Sequence, residues 1–353
     1  MEICKEVIFR EARQLFRSEI SKKRHINLAE IQNIYDKIPE LKKIEAKIAE
    51  LGQKSVLEVL KGKAPNRVLS LVKRHVLELK EEKKLVLRQH ELTPSAISIK
   101  PSCKYCNDSG IVLESHCECF KKVLKKVICQ YSELDYSKLC KIHNPGVLFN
   151  DKRVLKFNAI GGSSDTSLKC SDKNISSPNE LGVWRSYSKS ISHSIQRFVD
   201  IKKGKNNEKF HDNLLFYGPT GVGKTYISRY IYKLFIDDGR IAIYISAPQM
   251  FDLFEGEKFN RLEDKHSKFK LKLITNAQLL IIDDLGAEFC SSHVDTFLFN
   301  IINKRIEGSL KTIINTNLQP VKIKDMYSER ISSRIVGNFE IIKCIGNDLR
   351  QLV

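Results

Sequence analysis

The sequence predicts an α/β protein, with a parallel five-stranded sheet in its C-terminal half and a mainly helical N-terminal half carrying a metal-binding segment. Three observations predict this. Short apolar runs alternate with helical stretches from residue 213 onward, the pattern of a parallel sheet covered on both faces. A glycine-rich loop of the form G-x-x-x-x-G-K-[ST] follows the first of those runs. The first 93 residues have helical spacing, and four cysteines then fall within residues 103–119.

In chain order, residues 1 to about 93 read as helices. The stretch 69–92 places Val72, Val76, Leu79 and Val86 near helical spacing, with Lys and Glu between them, and Pro94 stops it. A short basic helix is expected at 120–130. Residues 159–180 are rich in Ser, Gly, Asn and Asp and read as a linker; Trp184–Lys203 reads as helix. Strands are expected at Leu214–Tyr217, Ile241–Ser246, Leu279–Asp283, Thr312–Asn315 and Glu340–Ile345. Helices are expected at 224–237, 248–275 and 291–307. The resulting division is a helical domain 1–155, a linker 156–180 and an α/β domain 181–353.

With 353 residues, the chain is long enough for about two domains of ~150 residues each. Lys and Arg number 60 against 42 Asp and Glu, a net charge of +18, which suggests a polyanionic partner such as nucleic acid. The excess is spread along the chain: the first 150 residues carry 29 basic and 19 acidic side chains. No apolar run reaches the ~18 residues needed to cross a bilayer, and Met1 to Arg13 lacks an apolar signal core. The expectation is a cytoplasmic protein whose ten cysteines are reduced.

The chemistry starts at Gly218-Pro219-Thr220-Gly221-Val222-Gly223-Lys224-Thr225. Backbone N–H groups of such a loop surround phosphates, and the following helix N-terminus adds its dipole. Glycines permit the positive φ and the close approach this needs. Lys224 would reach the β- and γ-phosphates, and the Thr225 hydroxyl would ligate Mg²⁺. Leu279-Leu280-Ile281-Ile282-Asp283-Asp284 is a buried strand ending in carboxylates; Asp283 would hold Mg²⁺ and Asp284 would polarise the attacking water. Asn317, after the next strand, would contact the γ-phosphate or that water from the far side. Arg330 and Arg334 stand four apart on one helical face, so either could project into a neighbouring copy's nucleotide site. Arg350 is read both as a phosphate contact and as a tail charge.

Cys103-x2-Cys106 and Cys117-x-Cys119 offer four thiolates to a tetrahedral Zn²⁺ that would hold a loop lacking a core of its own. His116 stands as a substitute for one cysteine, since the C-x-C half is tight. Cys4, Cys129, Cys140, Cys170, Cys290 and Cys344 are scattered and read as ordinary thiols. Lys258, Arg261, Lys265, Lys268, Lys270 and Lys272 crowd one stretch with Phe251, Phe254, Phe259 and Phe269 interleaved. That combination suits single-stranded nucleic acid, although core phenylalanines on a solvated basic helix give the same spacing.

On these residues the chain resembles the AAA+ ATPases. More narrowly it resembles the bacterial replicative-helicase loaders of the DnaC/DnaI type, which are related to the IstB-like ATPases. The resemblance rests on the GPTGVGKT loop, the IIDDLGAE strand end with Glu288, and the tail YSERISSRIVGNFEIIKCIGNDLR. Residues 88–120 resemble the cysteine-containing segment of loaders from low-GC Gram-positive bacteria. The resemblance implies an ATPase domain that assembles in a ring or spiral on a hexameric helicase and engages single-stranded DNA, with an N-terminal domain that grips the helicase. It makes Asn317 sensor 1 and Arg334, with Arg330 beside it, the arginine finger. Asp284 stands where the family usually has a longer Glu, which implies slow, switch-like hydrolysis. A transposase-helper ATPase shares the same core. A P-loop kinase is the third reading and has no need for the Arg330/Arg334 pair.

Overall fold

A computed structural model describes residues 2–61, 65–132, 134–145, 192–196, 198–199, 213–287, 292–346, 348 and 350. The linker 156–180, Cys170, Trp184, Glu288 and Cys290 lie outside the described residues, as does the expected division between 155 and 181. The chain groups into two compact units, Arg13–Phe120 and Met1–Ala12 with Lys121–Val353.

The first unit is helical. Helix α1 (Glu2–Lys37), α2 (Pro39–Leu60) and α3 (Pro65–Gln89) follow one another. Pro39 lacks an N–H and starts α2 without losing a helical bond. Ile38, Leu41 and Ile44 bury against Val86 and Leu87 of α3. At the edge of this core the Tyr35 hydroxyl donates to Glu45 Oε1 at 3.0 Å. The Lys83 ammonium donates to the Tyr35 oxygen at 3.0 Å and pairs with Glu45, which ties α1, α2 and α3 together. Helix α3 ends at Gln89, five residues before Pro94, because Glu91 takes a positive φ of 57° and Leu92 N–H returns to the Leu87 carbonyl at 2.8 Å. A two-residue hairpin follows, β1 (Ile111–Val112) on β2 (Ser115–His116), its turn made by Leu113 and Glu114 at φ 44° and 64°.

The second unit takes in the end of α4 (Glu118–Gln130), α5 (Tyr136–Leu139) and the α/β residues. Its strands are β3 (Asn213–Tyr217), β4 (Ala242–Ser246), β5 (Leu279–Leu285), β6 (Lys311–Thr316) and β7 (Phe339–Lys343). All pair in parallel, in the order β4-β5-β6-β3-β7. β3 and β5 are apolar runs because helices cover both faces. The helices are α6 (Lys224–Asp237), α7 (Ala247–Lys258), α8 (Lys265–Asn276), α9 (Ser292–Glu307), α10 (Pro320–Met326) and α11 (Glu329–Asn338).

The stretch expected as one helix over 248–275 is two. Asn260 takes φ 52°, Arg261 N–H bonds back to the Gly256 carbonyl at 2.7 Å, and Asp264 caps α8 by accepting from Ser267 N–H at 2.7 Å. Of Trp184–Lys203, residues 192–196 and 198–199 are helical. Among the described residues no helix is long and apolar enough to cross a membrane.

Candidate functional site

The glycine loop runs from the end of β3 into α6, at the C-terminal edge of the sheet. β3 lies between β6 and β7, and both neighbours hold the loop's start: Gly218 N–H donates to the Thr316 carbonyl at 3.3 Å, and Cys344 N–H to the Tyr217 carbonyl at 2.7 Å. Gly218 and Gly221 have φ of 150° and 78°. A Cβ on Gly218 would meet the Cys344 carbonyl, and one on Gly221 the Asp348 carboxylate, so conformation and close approach both demand glycine here. Gly223, at φ 97°, precedes α6. Pro219, Thr220 and Val222 complete the loop, with Val222 buried.

Lys224 is buried. Its ammonium donates to the Gly218 carbonyl (2.7 Å), the Pro219 carbonyl (2.6 Å) and Asn317 Oδ1 (2.8 Å). Burial pulls its pKa below the ordinary lysine range, opposed by nearby acidic groups including Asp284 and Asp283. The Thr225 hydroxyl donates toward both Asp283 oxygens, at 3.3 and 3.2 Å. The four residues expected to act on a nucleotide and its metal, Lys224, Thr225, Asp283 and Asn317, therefore converge.

Asp283 has further partners that sequence reasoning missed. Asn315 Nδ2 donates to its Oδ1 at 2.8 Å and to Ser228 Oγ at 2.7 Å, and the Tyr244 hydroxyl donates to Oδ2. Strand register explains the meeting. Tyr244 pairs with Ile281, and Ile281 with Ile313; Asp283 and Asn315 stand two residues further on, on the same face. Asn315 stands two residues before Asn317 at the end of the same apolar run, and that spacing is the signal which could have drawn attention to Asn315.

Asp284 is exposed and takes φ 55°, a region aspartate tolerates better than most residues. Its pKa is raised, by partial burial and then by the Asp283 charge. Arg330 and Arg334 lie exposed on α11, whose Ile331 and Ile335 face the core. Neither arginine reaches the loop of its own chain through any contact described. Arg350 donates its backbone N–H to Asp348 Oδ1 at 3.0 Å, and its charge lowers the Lys224 pKa, so the tail lies near the loop.

The four cysteine sulfurs all lie within 4.8 Å of one another. The sulfurs of Cys103 and Cys117 are 3.7 Å apart, and those of Cys106 and Cys119 3.4 Å. A tetrahedron with ~2.3 Å Zn–S bonds has edges of about 3.8 Å, so the set fits zinc. Hydrogen bonds order the loop around the sulfurs: Asp108 accepts from the N–H groups of Ser102 (3.0 Å) and Cys103 (2.9 Å), and Gly110 N–H points at Cys106 Sγ (3.4 Å). N–H groups of Cys106 and Tyr105 lower the Cys103 pKa to about 7, which favours a thiolate, while burial raises that of Cys119. His116 instead lays its ring on Phe120, 4.7 Å between centroids.

Of the four phenylalanines in the basic stretch, three are packing residues. Phe251 is buried, Phe254 stacks on Phe297 (5.1 Å), and Phe269 meets Tyr131 edge-on (5.1 Å). Phe259 is 53% exposed, with Lys258 and Arg261 over its ring at 5.6 and 5.2 Å.

Residues 192–350 match the model of the IstB-like ATP binding protein family. A replicative helicase loader DnaI of Bacillus subtilis is 28% identical over 138 residues, 38% of this chain and 43% of that protein. A putative insertion sequence ATP-binding protein of Sinorhizobium fredii is 30% identical over 147 residues, 40% of this chain and 58% of that protein. The chain thus spans about half the length of these relatives. The crystal structure of the DnaC helicase loader aligns with a TM-score of 0.37 and 23% identity, over 45% of this chain and 90% of that one. The segment 192–350 is thus similar in sequence to the IstB-like ATP binding proteins, to a replicative helicase loader and to an insertion-sequence ATP-binding protein.

Proposed function

We propose that the chain is a cytoplasmic, ATP-dependent loader of a replicative DNA helicase that binds ATP with Mg²⁺ and single-stranded DNA and switches state on slow ATP hydrolysis. The observation that carries the reading is the convergence of Lys224, Thr225, Asp283 and Asn317 at the mouth of one loop. Lys224 would exchange its two loop carbonyls for phosphate oxygens, and the loop N–H groups would orient the polyphosphate. Thr225 and Asp283 would hold Mg²⁺, which neutralises charge developing on the phosphates. Asn317 would sense the terminal phosphate, since it already reads the position of Lys224. Asp284 would accept the proton of the attacking water; its short side chain suits a timer better than fast turnover. Arg334, with Arg330 beside it, would complete the site of a neighbouring copy in a ring or spiral, as their exposure on α11 allows. The cysteine loop would bind a structural Zn²⁺, and the unit around it would face the helicase. Lys258, Arg261 and Phe259 are the residues proposed for single-stranded DNA.

The test is capture of a replicative helicase by the full chain with ATP, combined with ATP turnover with and without single-stranded DNA. Binding to the helicase and DNA-stimulated turnover are expected. Absence of helicase binding in every nucleotide state would sink the loader reading. The second reading, a transposase helper, is favoured by the family match over 192–350; stimulation by a transposase in the same assay would select it.

A further inference from the structure

The nucleotide reading leaves unexplained a buried tyrosine aimed at the metal-site carboxylate and an arginine laid over it. Tyr244 belongs to the edge strand β4 and is buried. Its hydroxyl donates to Asp283 Oδ2. A tyrosine hydroxyl carries its proton at neutral pH and serves as a donor. The Arg229 guanidinium lies 5.5 Å from the centre of the Tyr244 ring. Tyr232 meets that ring edge-on, 6.3 Å between centroids. The Tyr232 hydroxyl and the Tyr244 backbone N–H both donate to Ser132 Oγ, at 2.9 and 3.0 Å. The Tyr244 ring is thus held on several sides and its hydroxyl has one destination.

A fixed donor matters because a carboxylate that binds a cation must be presented in one rotamer. Asp283 accepts from Tyr244 on Oδ2 and from Asn315 on Oδ1, and Asp284 N–H adds a third bond to Oδ1 at 3.2 Å. All three donors are neutral, so they orient the carboxylate without cancelling its charge. Its other neighbour is the Thr225 hydroxyl, the expected partner on Mg²⁺. Arg229 is four residues after Thr225 on α6, and its Nε is buried without a hydrogen-bond partner among the described residues.

Resting on the nucleotide reading above, we propose that Tyr244 is a positioning residue for Mg²⁺-nucleotide. Its hydroxyl, on a ring that lies under Arg229, sets the Asp283 carboxylate that meets the metal. The proposal is tested on the full chain by titrating a fluorescent ATP analogue with Mg²⁺ and with EDTA, in the parent, Tyr244→Phe and Arg229→Gln. Tyr244→Phe keeps the ring and removes only the donor. The expected result is a loss of about tenfold in affinity with Mg²⁺, the scale of metal sites that lose an orienting partner, with the EDTA affinity unchanged. Arg229→Gln should lose less, in the Mg²⁺ titration alone. The EDTA titration doubles as the folding control. Equal losses with and without Mg²⁺, or no loss in either, would overturn the proposal while leaving the nucleotide reading intact. No binding by the parent would overturn both.

Discussion

Lys224 shows how a buried ammonium is fully paired by its own loop. Its ammonium is held by the Gly218 and Pro219 carbonyls and by Asn317, so burial costs it no unpaired donor. Lys224→Ala should reduce nucleotide affinity by about ten- to a hundredfold, the worth of a charge-assisted contact, measured by the same titration. Asp284 is the opposite case. Its raised pKa means the folded state disfavours the ionised form, a cost that appears once pH rises above the ordinary aspartate value of about 3.9. Asp284→Asn should therefore abolish hydrolysis yet raise thermal stability slightly at pH 7, and the gain should vanish toward pH 4. Screening at this exposed position keeps it under ~1 kcal/mol. A loss of stability at pH 7 would refute the reading that burial and the Asp283 charge disfavour the ionised form. Arg305 is fully buried, and its guanidinium meets four neutral oxygens: Thr312 Oγ1 and the carbonyls of Ile274, Ala277 and Lys311. Burial lowers its pKa to about 9. It clamps the ends of α8, α9 and β6. Arg305→Met would leave those oxygens dry and should cost about 2–4 kcal/mol in denaturant melts.

At the scale of elements, the loop, the helix after it and the cysteine spacing were legible because each depends on residues within a few positions. Helix α6 spans Lys224–Asp237 as its spacing predicted. The break between α7 and α8 was not legible: Asn260 and Asp264 are common in helices and loops alike, and only Arg261 N–H returning to Gly256 shows the turn. The cysteine loop makes a sharp prediction. Purified protein should carry a single zinc ion in native mass spectrometry, and Cys106→Ser should lose it. A chelator should melt the 103–120 segment while α6 and the sheet keep their hydrogen-exchange protection. Helix α11 makes another: Arg334→Ala should leave nucleotide binding intact and reduce turnover about a hundredfold or more, only at concentrations where copies associate. Equal activity of the variant in that range would remove the finger.

For the whole molecule, the basic excess becomes a question of placement. Phe251, Phe254 and Phe269 are spent on packing, which leaves Phe259 with Lys258 and Arg261 as an aromatic and cationic surface. Charge counting could not separate these, since a packed and an exposed phenylalanine at helical spacing read alike. The same holds for strand order. Alternating strands and helices imply a parallel sheet, but the arrangement β4-β5-β6-β3-β7 depends on which strands pair, and no local pattern encodes that.

By itself the sequence determined the chemistry that lives in short spacings: a phosphate loop after a strand, two carboxylates ending another, four thiols within one loop. Those depend on backbone conformation and neighbours a few residues apart. Only the tertiary structure decided what surrounds Asp283. Tyr244, Asn315 and Thr225 come from three places in the chain and meet because parallel pairing sets Tyr244 level with Ile281 and Ile281 level with Ile313, while α6 crosses that face. A hydrogen bond between residues 39 apart, as from Tyr244 to Asp283, has no periodic trace in a sequence. It exists because burial withdraws water from both groups, so each must find its partners within the protein.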